Sequence, residues 1–390
     1  MNKSIKILLW SIITILLLYF IFTLIAPPIV DKDANKVSTN PPYTASKKAT
    51  DLYNSLDFVG DLHCDALLWN RNLTKAATYG HVDFPRMQQG NVAFQAFTIV
   101  TKSPKGQNFN ENSADAFDMI TALSIGQGQR PSTWFSLFNR AIYQTNKLKK
   151  FANAYNDKFI VVQSKKDFEM LLEKRKQDRS VIGGLLGVEG GHCLEGNIQN
   201  VAKLYDAGIR MLGPTHFFDN EISGSAHGTA KAGLTDFGME VLKEMDQRNM
   251  IMDVAHSSDK AVDEILQHYK GPIITSHTGV DGTKDSYRNL SDTHLQAIAQ
   301  RGGIIGIAFF SGAIGDTGIP GIVKAMKYTK DLIGVQSIAL GSDFDGSVTT
   351  PFDVTGYPLL VEEMLKQGFT ADEIKAIMGE NLKRFLLENL

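Results

Sequence analysis

The sequence predicts an α/β fold of the (β/α)₈ TIM-barrel kind, preceded by one N-terminal transmembrane helix. Three observations carry this reading. Eight short, continuous apolar runs alternate with helix-like segments; an uncharged run of 20 residues opens the chain; and acid or imidazole groups recur just after the apolar runs. The 390 residues are 43% hydrophobic and 21% charged, which excludes a mainly disordered chain. A net charge of −2 leaves no basic excess for nucleic acid, and two cysteines cannot build a disulfide framework or a Cys-rich zinc module.

The uncharged run, Ile7–Ala26, is long enough at about 1.5 Å per residue to cross a hydrocarbon core of roughly 30 Å. A cleaved signal peptide is the alternative, but its apolar core usually spans only about 7–15 residues. Leu24 also occupies the position before Ala26 cleavage that wants a small side chain. A signal-anchor is therefore favoured. Lys3 and Lys6 precede the run, so the positive-inside bias keeps the short N-terminus cytoplasmic and sends the rest outside as a single-pass protein, to the periplasm in a Gram-negative cell. Lys32, Lys36, Lys47 and Lys48 on the far side weaken that bias.

Pro27, Pro28, Pro41 and Pro42, with polar residues between them, predict an extended tether over 27–48 that is neither helix nor sheet. The remaining 49–390 reads as one barrel domain. Its strand candidates are Phe58–Leu62, Ala93–Val100, Val181–Val188, Met211–Pro214, Ile251–Val254, Pro272–Thr275, Gly303–Phe309 and Ser337–Leu340. Their unbroken apolarity suits parallel strands buried on both faces. Helices are predicted over Asn197–Asp206, Phe237–Arg248, Asp259–Tyr269 and Asp292–Gln300, with Ser258 and Ser291 as N-caps. Thr370 and Glu373 make a capping box for the last helix, after Gly368. A doubly wound open sheet competes, but the first strand lacks its glycine fingerprint. The segment 101–158 is too long for one crossover and reads as an insertion, with an amphipathic helix over Trp134–Phe151.

Five of nine histidines (His63, His192, His216, His256 and His277) fall at or just beyond predicted strand ends, where a barrel holds its active site. Asp65, Glu189 and Asp343 fall there too. Imidazole with carboxylate suits Zn²⁺ and similar ions. His63 and Asp65, two apart, share one side of an extended strand end. Glu189, from another strand, has two oxygens with which to bridge two ions, and His256 and His277 complete a second site. Two ions about 3.5–4 Å apart would activate a bridging water. His268 and His294 read as surface residues on helices, and His81 and His227 as loop residues without ligand-like neighbours. Cys64 and Cys193 read as buried free thiols rather than a disulfide. No G-x-S-x-G elbow, H-E-x-x-H helix or Walker A loop is present.

The segments DLHCDALLW, HVDFPRMQQGNVAFQAF, LLGVEGGH, YDAGIRMLGPTH, GLTDFGMEVLKEMDQRNMIMDVAH, PIITSHTG, YRNLSD and LGSDFDG, taken together and in order, resemble the membrane (renal-type) dipeptidases, the M19 metallopeptidases. The resemblance runs from about Asp57 to the C-terminus. It implies a binuclear-zinc barrel hydrolysing dipeptides, some with a C-terminal D-residue, commonly as a homodimer. By motif, His63 and Asp65 match the first metal's ligands, Glu189 the bridging carboxylate, and His256 and His277 the second metal's ligands. His216 matches a histidine near the scissile carbonyl, Arg288 the arginine for the substrate's terminal carboxylate, and Asp343 the acidic residue that handles protons. His192 matches a site-adjacent position and is expected to support a ligand from behind. Cys64 departs from the usual Asn, and Tyr328 stands where many relatives carry His. Another binuclear amidohydrolase acting on N-acyl or cyclic amides is the runner-up. A catalytically dead tethered binding protein is a more distant alternative, disfavoured because every motif ligand is present.

Overall fold

A computed structural model describes residues 2–155, 158–316 and 318–390 of the chain. The eight apolar runs become eight parallel strands: β1 Gly60–Cys64, β2 Phe94–Val100, β3 Ile182–Glu189, β4 Ile209–Gly213, β5 Ile251–Asp253, β6 Ile273–Thr278, β7 Ile304–Ile307 and β8 Ile338–Leu340. Neighbours pair in the order β2-β1-β8-β7-β6-β5-β4-β3, and β2 pairs with β3 to close the ring. A short strand, Phe159–Val161, also pairs with β3. Every residue of β2 and β3 is buried, as expected for strands covered on the outside by helices and packed inside against one another. Gly341 is required where β8 ends, because a Cβ there would lie 2.1 Å from the backbone carbonyl of Ser276.

The predicted helices form at Gln199–Asp206, Asp236–Gln247, Asp259–His268 and Asp292–Gln300. Ser258 accepts from the Ala261 amide at 3.1 Å, Ser291 from His294 at 3.3 Å, and Thr370 with Glu373 completes its capping box. His294, expected at the surface, is instead buried, because its Nε2 reaches Asp263 on the preceding helix at 3.0 Å. The insertion holds helix α2, Met119–Gly126, and helix α3, Leu137–Ala154, with a single turn at Ser132–Phe135 between them. The amphipathic helix expected over Trp134–Phe151 is thus α3, capped by Ser136 and tied to the barrel through Gln144 Nε2 and the Val100 carbonyl at 2.8 Å. Residues 156–157 of the insertion lie outside the described residues.

The N-terminal helix α1 runs over Lys3–Ala34, long and apolar enough to cross a membrane by length and composition. It therefore overruns the predicted tether, whose first eight residues are helical. Pro27 and Pro28 remove two amide donors from the ladder but do not end it. What holds the helix together is docking. Asp31 is buried and pairs with Arg71 Nε at 2.7 Å, and Arg71 Nη2 reaches Asp345 at 2.6 Å. Asn35 bonds Asp31 at 2.8 Å and accepts from the Ser347 amide at 2.9 Å. Lys36–Val37 then pairs in parallel with Thr349–Thr350. The segment is fastened to the rim of the barrel rather than extended.

Candidate metal centre

The strand ends bring seven of the predicted side chains together. Glu189 closes β3, and its two oxygens face different partners. Oε1 lies 3.0 Å from His256 Nε2 and 3.4 Å from His277 Nε2. Oε2 lies 3.4 Å from His63 Nε2 and 3.7 Å from His216 Nε2. His63 Nε2 is also 3.6 Å from Asp65 and 3.8 Å from Asp343. Three donor sets each have all their ligand atoms within 4.8 Å of one another: His63, Glu189 and His277; Glu189, His216 and His256; and His63, Asp65 and Asp343. The sets include His216 and Asp343, which the sequence reading kept outside both metal sites.

Local backbone geometry aims these groups. β1 and β6 each shift register near their ends, between Asp61 and Cys64 and between Thr275 and Thr278, and such irregularities re-aim side chains. His256 (φ 62°) and Asp343 (φ 61°) adopt the left-handed conformation that non-glycine residues seldom take, a feature that clusters at functional sites.

The donor chemistry fits metal ions. Ser276 Oγ lies 2.9 Å from His63 Nδ1 and 2.9 Å from His277 Nδ1, and the Ser276 amide donates to Asp253 Oδ1 at 2.8 Å. With Ser276 Oγ accepting a hydrogen bond from each Nδ1–H, both Nε2 lone pairs face Glu189. Among the described residues His63 Nε2 and Glu189 Oε1 are buried with no hydrogen-bond partner, and the Nε2 atoms of His256 and His277 face each other at 3.1 Å. Burial pushes the pKa of His256 and His277 well below the ordinary value, so both imidazoles are neutral donors. Burial opposes ionisation of Glu189, yet His216 and His63 hold its carboxyl well below the usual range. Burial pushes Asp343 well above it. Thr98 Oγ1 donates to Asp65 Oδ1 and orients it.

Arg288 lies buried beside this cluster. Its Nη2 donates to the His277 carbonyl at 2.8 Å, while Nε and Nη1 have no partner among the described residues. His192 is buried too, its ring 5.0 Å from that of Phe218, but neither ring nitrogen bonds a ligand or anything else described. The supporting contact expected of it is made instead by Ser276, Thr98 and Asp253, which sequence reasoning missed. Ser276 was within reach, since it directly precedes His277. His227 and His81 are more than loop residues: His227 stacks on Phe217 at 4.6 Å beside His256, and His81 accepts the Asp345 amide at 2.8 Å. Asp345 serves structure, accepting from the His81 and Val82 amides. Both cysteines are buried free thiols.

A closed parallel barrel with carboxylates and imidazoles converging beyond its strand C-termini is the build of a barrel metallohydrolase. The chain belongs to the membrane dipeptidases, peptidase family M19, whose family model matches residues 47–389. It is a metal-dependent dipeptidase. Among solved structures it is similar to the M19 metallopeptidase dipeptidase AC at 23% identity, over 85% of this chain and 98% of that one, with a TM-score of 0.68. A Rhodobacter sphaeroides metallopeptidase, solved with a phosphinate mimic of the dipeptide L-Ala-D-Ala, is similar at 21% identity, 86% and 99% coverage and a TM-score of 0.70. The probable dipeptidase PvdM of Pseudomonas aeruginosa is similar at 17% identity, 88% and 97% coverage and a TM-score of 0.73.

Proposed function

We propose that the protein is a binuclear zinc dipeptidase, anchored by α1 with its barrel on the extracytoplasmic side. The observation that carries the binuclear reading is the division of Glu189, one oxygen toward His256 and His277 and the other toward His63 and His216. His63 and Asp65 would hold one ion, His256 and His277 the other, and Glu189 would bridge them. When bound, the ions supply Lewis-acid polarisation of the scissile carbonyl and acidify the attacking water. Arg288 grips the substrate's terminal carboxylate through its two unpartnered nitrogens, a planar match that gives a bidentate pair. His216 contacts the substrate near the scissile carbonyl. Asp343 takes a proton from the attacking water and delivers it to the leaving amine; its raised pKa suits the protonated half of that cycle. The phosphinate dipeptide bound by the Rhodobacter relative supports inclusion of dipeptides ending in a D-residue.

One preparation of the full chain in detergent tests this. Elemental analysis should approach two equivalents of zinc or a similar divalent ion, and L-Ala-L-Ala and L-Ala-D-Ala should turn over while N-acyl amino acids do not. A metal-free, fully active enzyme would sink the metal reading, and activity confined to N-acyl amides would replace the dipeptidase with an amidohydrolase. Orientation is tested by a C-terminal alkaline phosphatase fusion, active only if the barrel is exported.

A further inference from the structure

The metal-site residues and α1 share one cavity. Its volume is about 700 Å³, and Glu189, His277 and Asp343 line its depth while Phe22, Ala26 and Val30 of α1 line its mouth. Met119, Ile120 and Leu123 of α2 face the same space. The barrel is held there from Tyr19 onward: the Tyr19 hydroxyl donates to the Ile125 carbonyl at 2.7 Å, and Asp31 is clamped by Arg71 at the other end.

This contact fixes a depth. A span needs about 20 apolar residues. With Lys6 the last charge before the run, the hydrocarbon boundary falls near Ala26. Tyr19 is seven residues back, and at about 1.5 Å each it sits roughly 10 Å below that boundary. Ile125, and α2 with it, lies beside it. The start of α2 and the residue before its cap are correspondingly apolar and open, with Phe117 59% and Met119 43% exposed, an arrangement that is costly against water and favourable against lipid.

Resting on the reading of α1 as a membrane span and of the site as a dipeptidase, we propose that the active-site mouth is seated in the bilayer surface and takes amphiphilic dipeptides from it. Their peptide end reaches the metal-site residues while a long apolar side chain lies along the groove between α1 and α2. The bilayer is the partner that covers Phe117 and Met119.

The test uses the full chain in phosphatidylcholine vesicles. Phe117→Cys and Lys176→Cys each carry an environment-sensitive dye, which the buried native thiols do not take up. Lys176 lies near the end of the helix Lys165–Gln177 that leads to the N-terminal end of β3, away from the mouth. Nitroxide-labelled lipid should quench the dye at 117 and not at 176. In the unlabelled chain, a dipeptide with a dodecyl side chain should exceed Ala-Ala in kcat/KM by about tenfold or more, since even one methylene in an apolar pocket discriminates by about that factor. Phe22→Asp should lower that ratio severalfold. Absence of quenching at 117, or equal turnover of both dipeptides, overturns the proposal and leaves the dipeptidase reading standing. Turnover of neither dipeptide sinks both.

Discussion

Arg71 anchors a buried two-carboxylate clamp whose loss should be costly. Its side chain is 3% exposed and holds two carboxylates, Asp31 at 2.7 Å and Asp345 at 2.6 Å, whose side chains are 2% and 0% exposed. Arg71→Met keeps much of the volume but strands both charges. Breaking a buried pair by removing one partner costs about 3–5 kcal/mol. A folded domain of this size unfolds with an entropy of about 2.1 cal/mol/K per residue, or roughly 0.7 kcal/mol/K in all, so the melting temperature should fall by about 4–7 °C. Asp31→Asn should cost less, because Arg71 keeps Asp345. Lys327→Met is the control: its pair with Asp331 is close, at 2.8 Å, but 47% and 57% exposed. Exposed pairs contribute about 0–1 kcal/mol, and the shift there should stay near 1 °C. Differential scanning calorimetry of the detergent-solubilised proteins reads all three. A shift for Arg71→Met no larger than for Lys327→Met would refute the argument that this clamp is desolvated.

Asp343→Asn should retain both metals and substrate affinity while kcat falls by about 10²–10⁴-fold; loss of metal on elemental analysis would reassign Asp343 as a ligand, in keeping with its closeness to His63. Arg288→Lys should weaken dipeptide turnover, and the native enzyme should handle C-terminal amides poorly; equal kcat/KM on a dipeptide and its amide would remove Arg288 from carboxylate binding. His256→Ala should lose chiefly one of two metal equivalents, which titration with a chelating dye would count. Burial, aided by Arg71, lowers the Lys147 pKa to about 7. Between there and about 10.4 the unfolded chain holds the extra proton, so stability rises with pH across that window. Lys147→Met should flatten the rise in urea-unfolding free energy, and an unchanged slope would contradict the shift.

The barrel was legible because its signals are local. Unbroken apolar runs such as those at β2 and β3 announce strands buried on both faces, and Ser258, Ser291 and Thr370 announce helix starts through bonds that span three residues. The grouping of His63, Glu189, His256 and His277 followed from topology, since a closed barrel sends all strand C-termini to one face. What eluded the sequence was which neutral residues stand behind the ligands. Ser276 could be noticed beside His277, but its contact with His63 joins residues 213 apart, and no pattern along the chain reports that.

The predicted tether failed over 27–34 for a more instructive reason. A proline pair argues against helix because it removes two donors and crowds the preceding turn, at about 3 kcal/mol or more for each interior position. That argument weighs only local terms. Here the turn after the prolines carries Asp31 and Asn35 to partners about 40 and 310 residues away, at Arg71 and Ser347, and those contacts exist only if the helix continues. The buried ion pair and the capping of a rim amide offset the local cost. The same contacts join α1 rigidly to the loop beyond β8, which carries Asp343. A helix that looked like a leash is therefore a wall of the cavity that Glu189, His277 and Asp343 line, and changes at Asp31 should register in turnover as well as in stability.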